Sequence, residues 1–177
     1  MNTYLKIPMD RVPILIGKKG ETRKRLEEIT LAKIEIDSQT GDVNLEKKEA
    51  NPLTFYKLES VIKAIGRGFS PDHALYLLDD NYVLWLTDLT EYAKSEKSRE
   101  TKRSRIIGTK GAVRQYIEDS TSCFISVQGK TVAIIGKEPT LSIAIDSVSR
   151  LLQGSEIQAV KTFVKKAILK QKSWYNA

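Results

Sequence analysis

Residues 16–20 read Ile-Gly-Lys-Lys-Gly, and residues 107–111 read Ile-Gly-Thr-Lys-Gly. Each copy closes an apolar run and opens a charged segment with helical patterning. Gly17 and Gly108 lie 91 positions apart, and the register extends well past the tetrapeptide. Arg23 matches Arg114, Leu26 matches Ile117, Glu27 matches Glu118, Glu28 matches Asp119 and Thr30 matches Thr121. Ala32, Ile34 and Ile36 then match Cys123, Ile125 and Val127. A single G-x-x-G is a weak sign. Two copies followed by the same helix and strand pattern indicate duplication of a whole folded unit.

Each unit reads as β-α-α-β-β-α. In the first, residues 4–7 form an edge strand, and 12–16 a short helix with Asp10 as its cap and Pro13 tolerated in the first turn. Residues 21–29 form a charged helix with Leu26 and Ile29 on one face. Residues 32–36 alternate apolar and polar, as a half-buried strand does. Val43 and Leu45 mark a return strand, and Pro52 opens a long helix with Leu58, Val61, Ile62 and Ile65 at helical spacing. Gly66-Arg67-Gly68 stops that helix. Ser70-Pro71-Asp72 opens a connector helix to about residue 78.

In the second unit, residues 82–89 are rich in strand formers, and 91–105 are charged with no apolar period. Residues 112–120 are helical, with Val113, Tyr116 and Ile117 on one face. Residues 123–127 and 131–135 are strands about a tight turn. Pro139 opens a helix carrying Leu141, Ile145, Val148 and Leu152. Pro139 follows Pro52 by 87 positions, so the second hairpin is four residues shorter. Residues 157–174 form a further helix, with five lysines after Ala159 and no acid. The expected architecture is α+β: a first domain at 1–68, a connector at 69–81, a second domain at 82–153 and a basic helical extension at 154–177.

The loop's chemistry follows from its residues. Glycine reaches positive φ and holds no side chain against a ligand. The helix that starts at the loop aims free N–H groups and its positive dipole end at an anion. Lys18, Lys19 and Lys110 add full charge. Gly17, Gly20, Gly108 and Gly111 would let a phosphodiester approach the main chain beside Thr109. Arg23, Arg105 and Arg114 would attract phosphate. Ile16, Ile34, Ile107 and Ile125 would line or support an apolar groove floor. This use of a GxxG loop, clamping about four nucleotides, is that of the KH module. The basic approach from Lys102 to Arg105 suggests that the second unit dominates.

The 177 residues carry a net charge of +7 and a pI near 9.4, which suits a polyanionic partner. Cys123 is the single cysteine, placed on an apolar face as a buried, inert thiol. No apolar run is long enough to span a bilayer, and a cytoplasmic location is expected. Gly129-Lys130-Thr131 resembles the end of a phosphate-binding P-loop, but position 124 is Phe124 instead of glycine, so it reads as a hairpin turn. His73 stands alone. The repeated acids at 27–28 and 118–119 read as a solvated helix face or as partners for Arg23 and Arg114. No catalytic set, metal site or cofactor cradle is expected, so an enzyme ranks last. Lys161, Lys165, Lys166, Lys170 and Lys172 read as an exposed face, and secondarily as phosphate contacts. Trp174 and Tyr175 are expected to pack on the second unit.

Residues 105–136, RIIGTKGAVRQYIEDSTSCFISVQGKTVAIIG, resemble a type I KH domain. The resemblance is strongest to the second KH domain of the archaeal Partner of Nob One family of small-subunit assembly proteins. GRGFSPDHAL at 66–75 and GSEIQAV at 154–160 extend it across nearly the whole chain. Archaeal members keep GxxG in both units and eukaryotic relatives lack the first; both are intact here. Ser104 stands where that family has glycine, and Thr109 where a basic residue is common. The resemblance implies binding of precursor small-subunit rRNA near its 3′ end. It also implies contact with the endonuclease that trims that end and with a translation initiation factor subunit. The competing reading is a scaffold whose KH surfaces dock proteins, with RNA contact incidental.

Overall fold

Alternating apolar residues build two similar sheets. The computed structural model describes residues 2–175, and the chain divides into two units that meet between Asp80 and Asn81. The first contains β1 (Asn2–Lys6), α1 (Val12–Ile16), α2 (Glu21–Thr30), β2 (Ala32–Ile36), β3 (Asp42–Lys47) and α3 (Pro52–Gly66). Its antiparallel sheet has the order β1-β3-β2. Leu45 of the central strand faces Thr3 on one side and Ile34 on the other. β2 is therefore an edge strand. Val43, Leu45 and Ile34 are buried, as are Leu15 of α1, Leu26 of α2, and Phe55, Leu58 and Ile62 of α3.

The second unit contains β4 (Val83–Asp88), α5 (Glu96–Ile107), α6 (Ala112–Thr121), β5 (Phe124–Gln128), β6 (Thr131–Gly136), α7 (Thr140–Leu152) and α8 (Ile157–Tyr175). Its antiparallel sheet has the order β4-β6-β5, with Ile134 opposite Trp85 and Ile125. The α+β class and the β-α-α-β-β-α order hold in both units.

Several local expectations are corrected. Asp10 does not cap α1; it lies in a 3-10 turn, Met9–Arg11, that leads into the helix. Ile29 is 48% exposed, and the second buried position of α2 is Thr30, one full turn after Leu26. Its hydroxyl donates to the Leu26 carbonyl at 2.6 Å, which lets a polar residue sit inside. The connector is one α-helical turn, α4 (Pro71–Ala74), followed by a 3-10 turn, Leu75–Leu78. Ala74 and Leu77 are buried and Lys57 of α3 donates to the Leu78 carbonyl, so this segment packs on the first unit. Residues 96–107 form a full helix despite their charge. Ser95 caps it by accepting from the Ser98 N–H at 3.2 Å, and Ile106 is its one fully buried side chain.

α8 joins the second core through buried Val160 and Val164; each such burial contributes roughly 1.5–3 kcal/mol. Ile168 is the last of its residues to pack against that core. Trp174 lies beyond it and is 75% exposed, contrary to expectation. The Tyr175 side chain lies outside the described residues.

One bond occurs in both units at the same register. Arg11 donates to the carbonyls of Ile65 (2.8 Å) and Phe69 (2.7 Å), holding the end of α3. Lys102, 91 positions later, donates to the carbonyl of Leu152 at the end of α7. Helix C-termini present unpaired carbonyls and a negative dipole end, so a cation there is doubly favoured.

Candidate nucleic-acid interface

The two loops superimpose in conformation. Gly17 has φ 75° and ψ 172°, and Gly108 has φ 74° and ψ 175°. Lys19 and Lys110, neither of them glycine, have φ of 54° and 53°. Gly20 and Gly111 follow at φ 78° and 76° in the left-handed region. Each loop closes with the same bond, Gly20 N–H to Gly17 carbonyl and Gly111 N–H to Gly108 carbonyl, both at 3.1 Å. A non-glycine residue at positive φ costs energy, and such positions gather at functional sites.

α2 and α6 start directly at these loops with a glycine and no side-chain cap. By contrast α3, α4 and α5 begin with capping Asn51, Ser70 and Ser95. Glu21 and Ala112 donate their N–H groups back to the Lys18 and Thr109 carbonyls of the loop, and no side chain caps the first turn of either helix, whose positive dipole end favours an anion. A Cβ on Gly20 or Gly111 would meet nothing within 4 Å, so there is room for one. Lys18, Lys19, Thr109 and Lys110 are all exposed. In the first unit Lys18 and Lys19 share a shallow depression with Glu21, Lys24 and Arg25.

Other expected residues are placed differently. Arg105 turns away from the loop and donates to the Ser155 carbonyl. Arg103 donates to the Gly129 carbonyl at 3.0 Å and to Glu96 at 2.7 Å. With Lys102 on Leu152, the basic approach is engaged inside the unit, and the ground for ranking the second loop above the first is gone. Ile34 and Ile125 are buried core residues, whereas Ile16 and Ile107 are half-buried next to the loops. Arg23 and Arg114 are half-buried on α2 and α6, each with Nε 3.9 Å from the acid one turn on, Glu27 or Glu118. Glu28 and Asp119 are exposed, but Glu27 and Glu118 are half-buried beside these arginines and have a further partner. Glu27 accepts from the Ile34 N–H at 2.8 Å, and Glu118 from the Ile125 N–H at 2.7 Å. The sequence displayed the repeated acid, but the strand partner needs the helix-to-strand crossing to be known.

Elsewhere, burial pushes the Cys123 thiol up, which suits an inert core residue. The carboxyl of Glu96 sits below the usual range because Arg103 and Arg99 bond to it. Lys165, Lys166, Lys170 and Lys172 are exposed, while Lys161 stands 5.2 Å over the Tyr116 ring. Among the described residues no cluster of three or more His, Cys, Asp or Glu could hold a metal, and no helix is long and apolar enough to cross a membrane.

A duplicated β-α-α-β-β-α unit with a GxxG turn between its first two helices defines a tandem type I KH protein. Residues 83–168 match the eukaryotic-type KH domain (KH-domain type I) family, and residues 2–50 match the KH domain family. A KH domain-containing protein of Methanocaldococcus jannaschii is 42% identical over 164 residues, covering 92% of this chain and 72% of its own. Dim2p of Pyrococcus horikoshii is 41% identical with a TM-score of 0.87, over 94% of this chain and 99% of that one. The same organism's aDim2p, in a complex with a/eIF2alpha and rRNA, gives a TM-score of 0.89 at 41% identity, over 96% and 95% of the two chains. A protein of unknown function from Aeropyrum pernix gives 0.91 at 27% identity, over 99% and 95%. The chain belongs to the archaeal Dim2p family of tandem KH-domain RNA-binding proteins, the counterpart of eukaryotic Partner of Nob One.

Proposed function

We propose that the protein binds precursor small-subunit rRNA near its 3′ end as a ribosome assembly factor, with a GxxG loop in each unit holding the RNA backbone. The observation that carries this reading is the pair of uncapped helix starts, each behind a glycine with open space in place of a side chain. Gly17, Gly20, Gly108 and Gly111 shape the loops. Lys18, Lys19 and Lys110 supply the charge, Thr109 adds a hydroxyl, and Arg23 and Arg114 flank the path. The rRNA in the complex of the Pyrococcus horikoshii relative supports the choice of ligand.

Gly111→Asp is the direct test. It sets a carboxylate where phosphate is expected to sit, and its Cβ meets no protein atom within 4 Å. In filter binding with a single-stranded rRNA fragment, affinity is expected to fall by at least about tenfold. Unchanged affinity in a folded variant would sink the assignment.

The endonuclease that trims the rRNA 3′ end and a translation initiation factor subunit are the proposed protein partners. The a/eIF2alpha in the relative's complex also favours a second reading, a scaffold that docks proteins while RNA contact is incidental. RNA crosslinking mapped to residues 17–20 and 108–111 supports the first reading; crosslinks confined to other surfaces support the second.

A further inference from the structure

Beside the loops, one side-chain arrangement occurs twice. β2 and β5 are edge strands, so each could offer backbone N–H and carbonyl groups to a base lying along it. On each strand one such N–H, at Ile34 or Ile125, is already engaged by Oε1 of Glu27 or Glu118. The second oxygen, Oε2, lies 3.9 Å from Nε of Arg23 or Arg114. That Nε is buried and without a hydrogen-bond partner in both units. The strand edge therefore presents a carboxylate beside a guanidinium where a backbone donor would otherwise stand.

The arrangement is in line with the loop. Gly20, Arg23 and Glu27 follow at helical spacings of three and four, as do Gly111, Arg114 and Glu118. A nucleotide with its phosphate at the loop would extend its base along this face.

We propose that the pairs Arg23–Glu27 and Arg114–Glu118 read the base, selecting one that carries an exocyclic amine beside a ring acceptor, cytosine foremost, against uracil. The inference rests on the phosphate-holding role of the loops. An ionised carboxylate only accepts, and a guanidinium only donates. The cytosine N4 amine donates to the acid while N3 and O2 accept from the arginine. Uracil places its O4 carbonyl against the carboxylate lone pairs and is rejected.

The test compares short oligocytidylate and oligouridylate on wild-type protein and on Glu27→Gln/Glu118→Gln. Glutamine keeps an acceptor oxygen for the strand N–H and replaces the other with an amide donor. Wild type is expected to prefer oligocytidylate by about tenfold, and the double variant to bring the two within about twofold. A folded variant that keeps the wild-type ratio overturns the proposal, as does an equal loss for both oligomers. A second arm needs no variant. An oligomer of pyrimidin-2-one ribonucleotides, which lack the amine, is expected to bind wild type as weakly as oligouridylate; binding as tight as oligocytidylate overturns the proposal. Gly20→Asp/Gly111→Asp separates the two levels. If that variant binds oligocytidylate like wild type, the loop role itself fails. If it loses both oligomers while wild type binds them equally, only base selection fails.

Discussion

At the scale of single residues, the two glycines of each loop serve different ends. Gly17 and Gly108 occupy a φ/ψ region that is essentially open to glycine alone. A Cβ on Gly108 would stand 2.4 Å from Val113 Cγ2 and 2.8 Å from its N, and one on Gly17 would meet Thr22 as closely. Gly20 and Gly111 sit in the left-handed region, which Asp and Asn also visit. Gly108→Ala is therefore expected to lose about 1–3 kcal/mol of stability, whereas Gly111→Asp carries only the strain of its positive φ, loses less, and fails chiefly in binding. Urea unfolding separates the two, and an unchanged midpoint for Gly108→Ala would contradict the assignment. The spacing of the glycines was plain in the sequence because both are needed in both copies. Their division of labour was not, since it depends on which neighbour crosses behind each one.

At the scale of elements, the basic residue ahead of each loop anchors a distant helix end. Arg11 and Lys102 tie the first helix of each unit to the last turn of its third. Hydrogen bonds to charged groups contribute about 1.5–3 kcal/mol, so Lys102→Met is expected to destabilise by that order. Its RNA affinity is expected to stay within about twofold of wild type. A melting curve and a binding isotherm on one preparation check both, and a binding loss with unchanged melting would reverse the interpretation. In the sequence Lys102 belongs only to a positive stretch leading into the second GxxG, and Arg11 stands out in no way. The clue the sequence held was register: Arg11 and Lys102 both stand six residues before the first loop glycine, while Ile65 and Leu152 keep the 87-residue spacing of Pro52 and Pro139. α5 was illegible as a helix for a related reason. Its charged side chains, Arg99 and Arg103 among them, are satisfied by Glu96 and nearby carbonyls, so almost no apolar periodicity is needed to hold it.

At the scale of the whole molecule, the charge of +7 predicts salt-sensitive binding. Each phosphate contact on a single strand contributes about 0.7 to the slope of log affinity against log salt, so Lys18→Ala/Lys19→Ala is expected to lower it by about 1.4. Titrations at several salt concentrations check this, and an unchanged slope would remove both lysines from the RNA path. The duplicated order was legible because repetition amplifies a weak motif. The allegiance of the last helix was not, because α8 has no counterpart in the first copy, and its lysines mask the two valines it buries. Those valines have a practical consequence for anyone dissecting the protein. A gene trimmed at residue 153, where the β-α-α-β-β-α order ends, would leave the slot for Val160 and Val164 open to water. Such a piece is expected to clump and to melt well below one that runs through residue 175, so the scissors belong after the final turn.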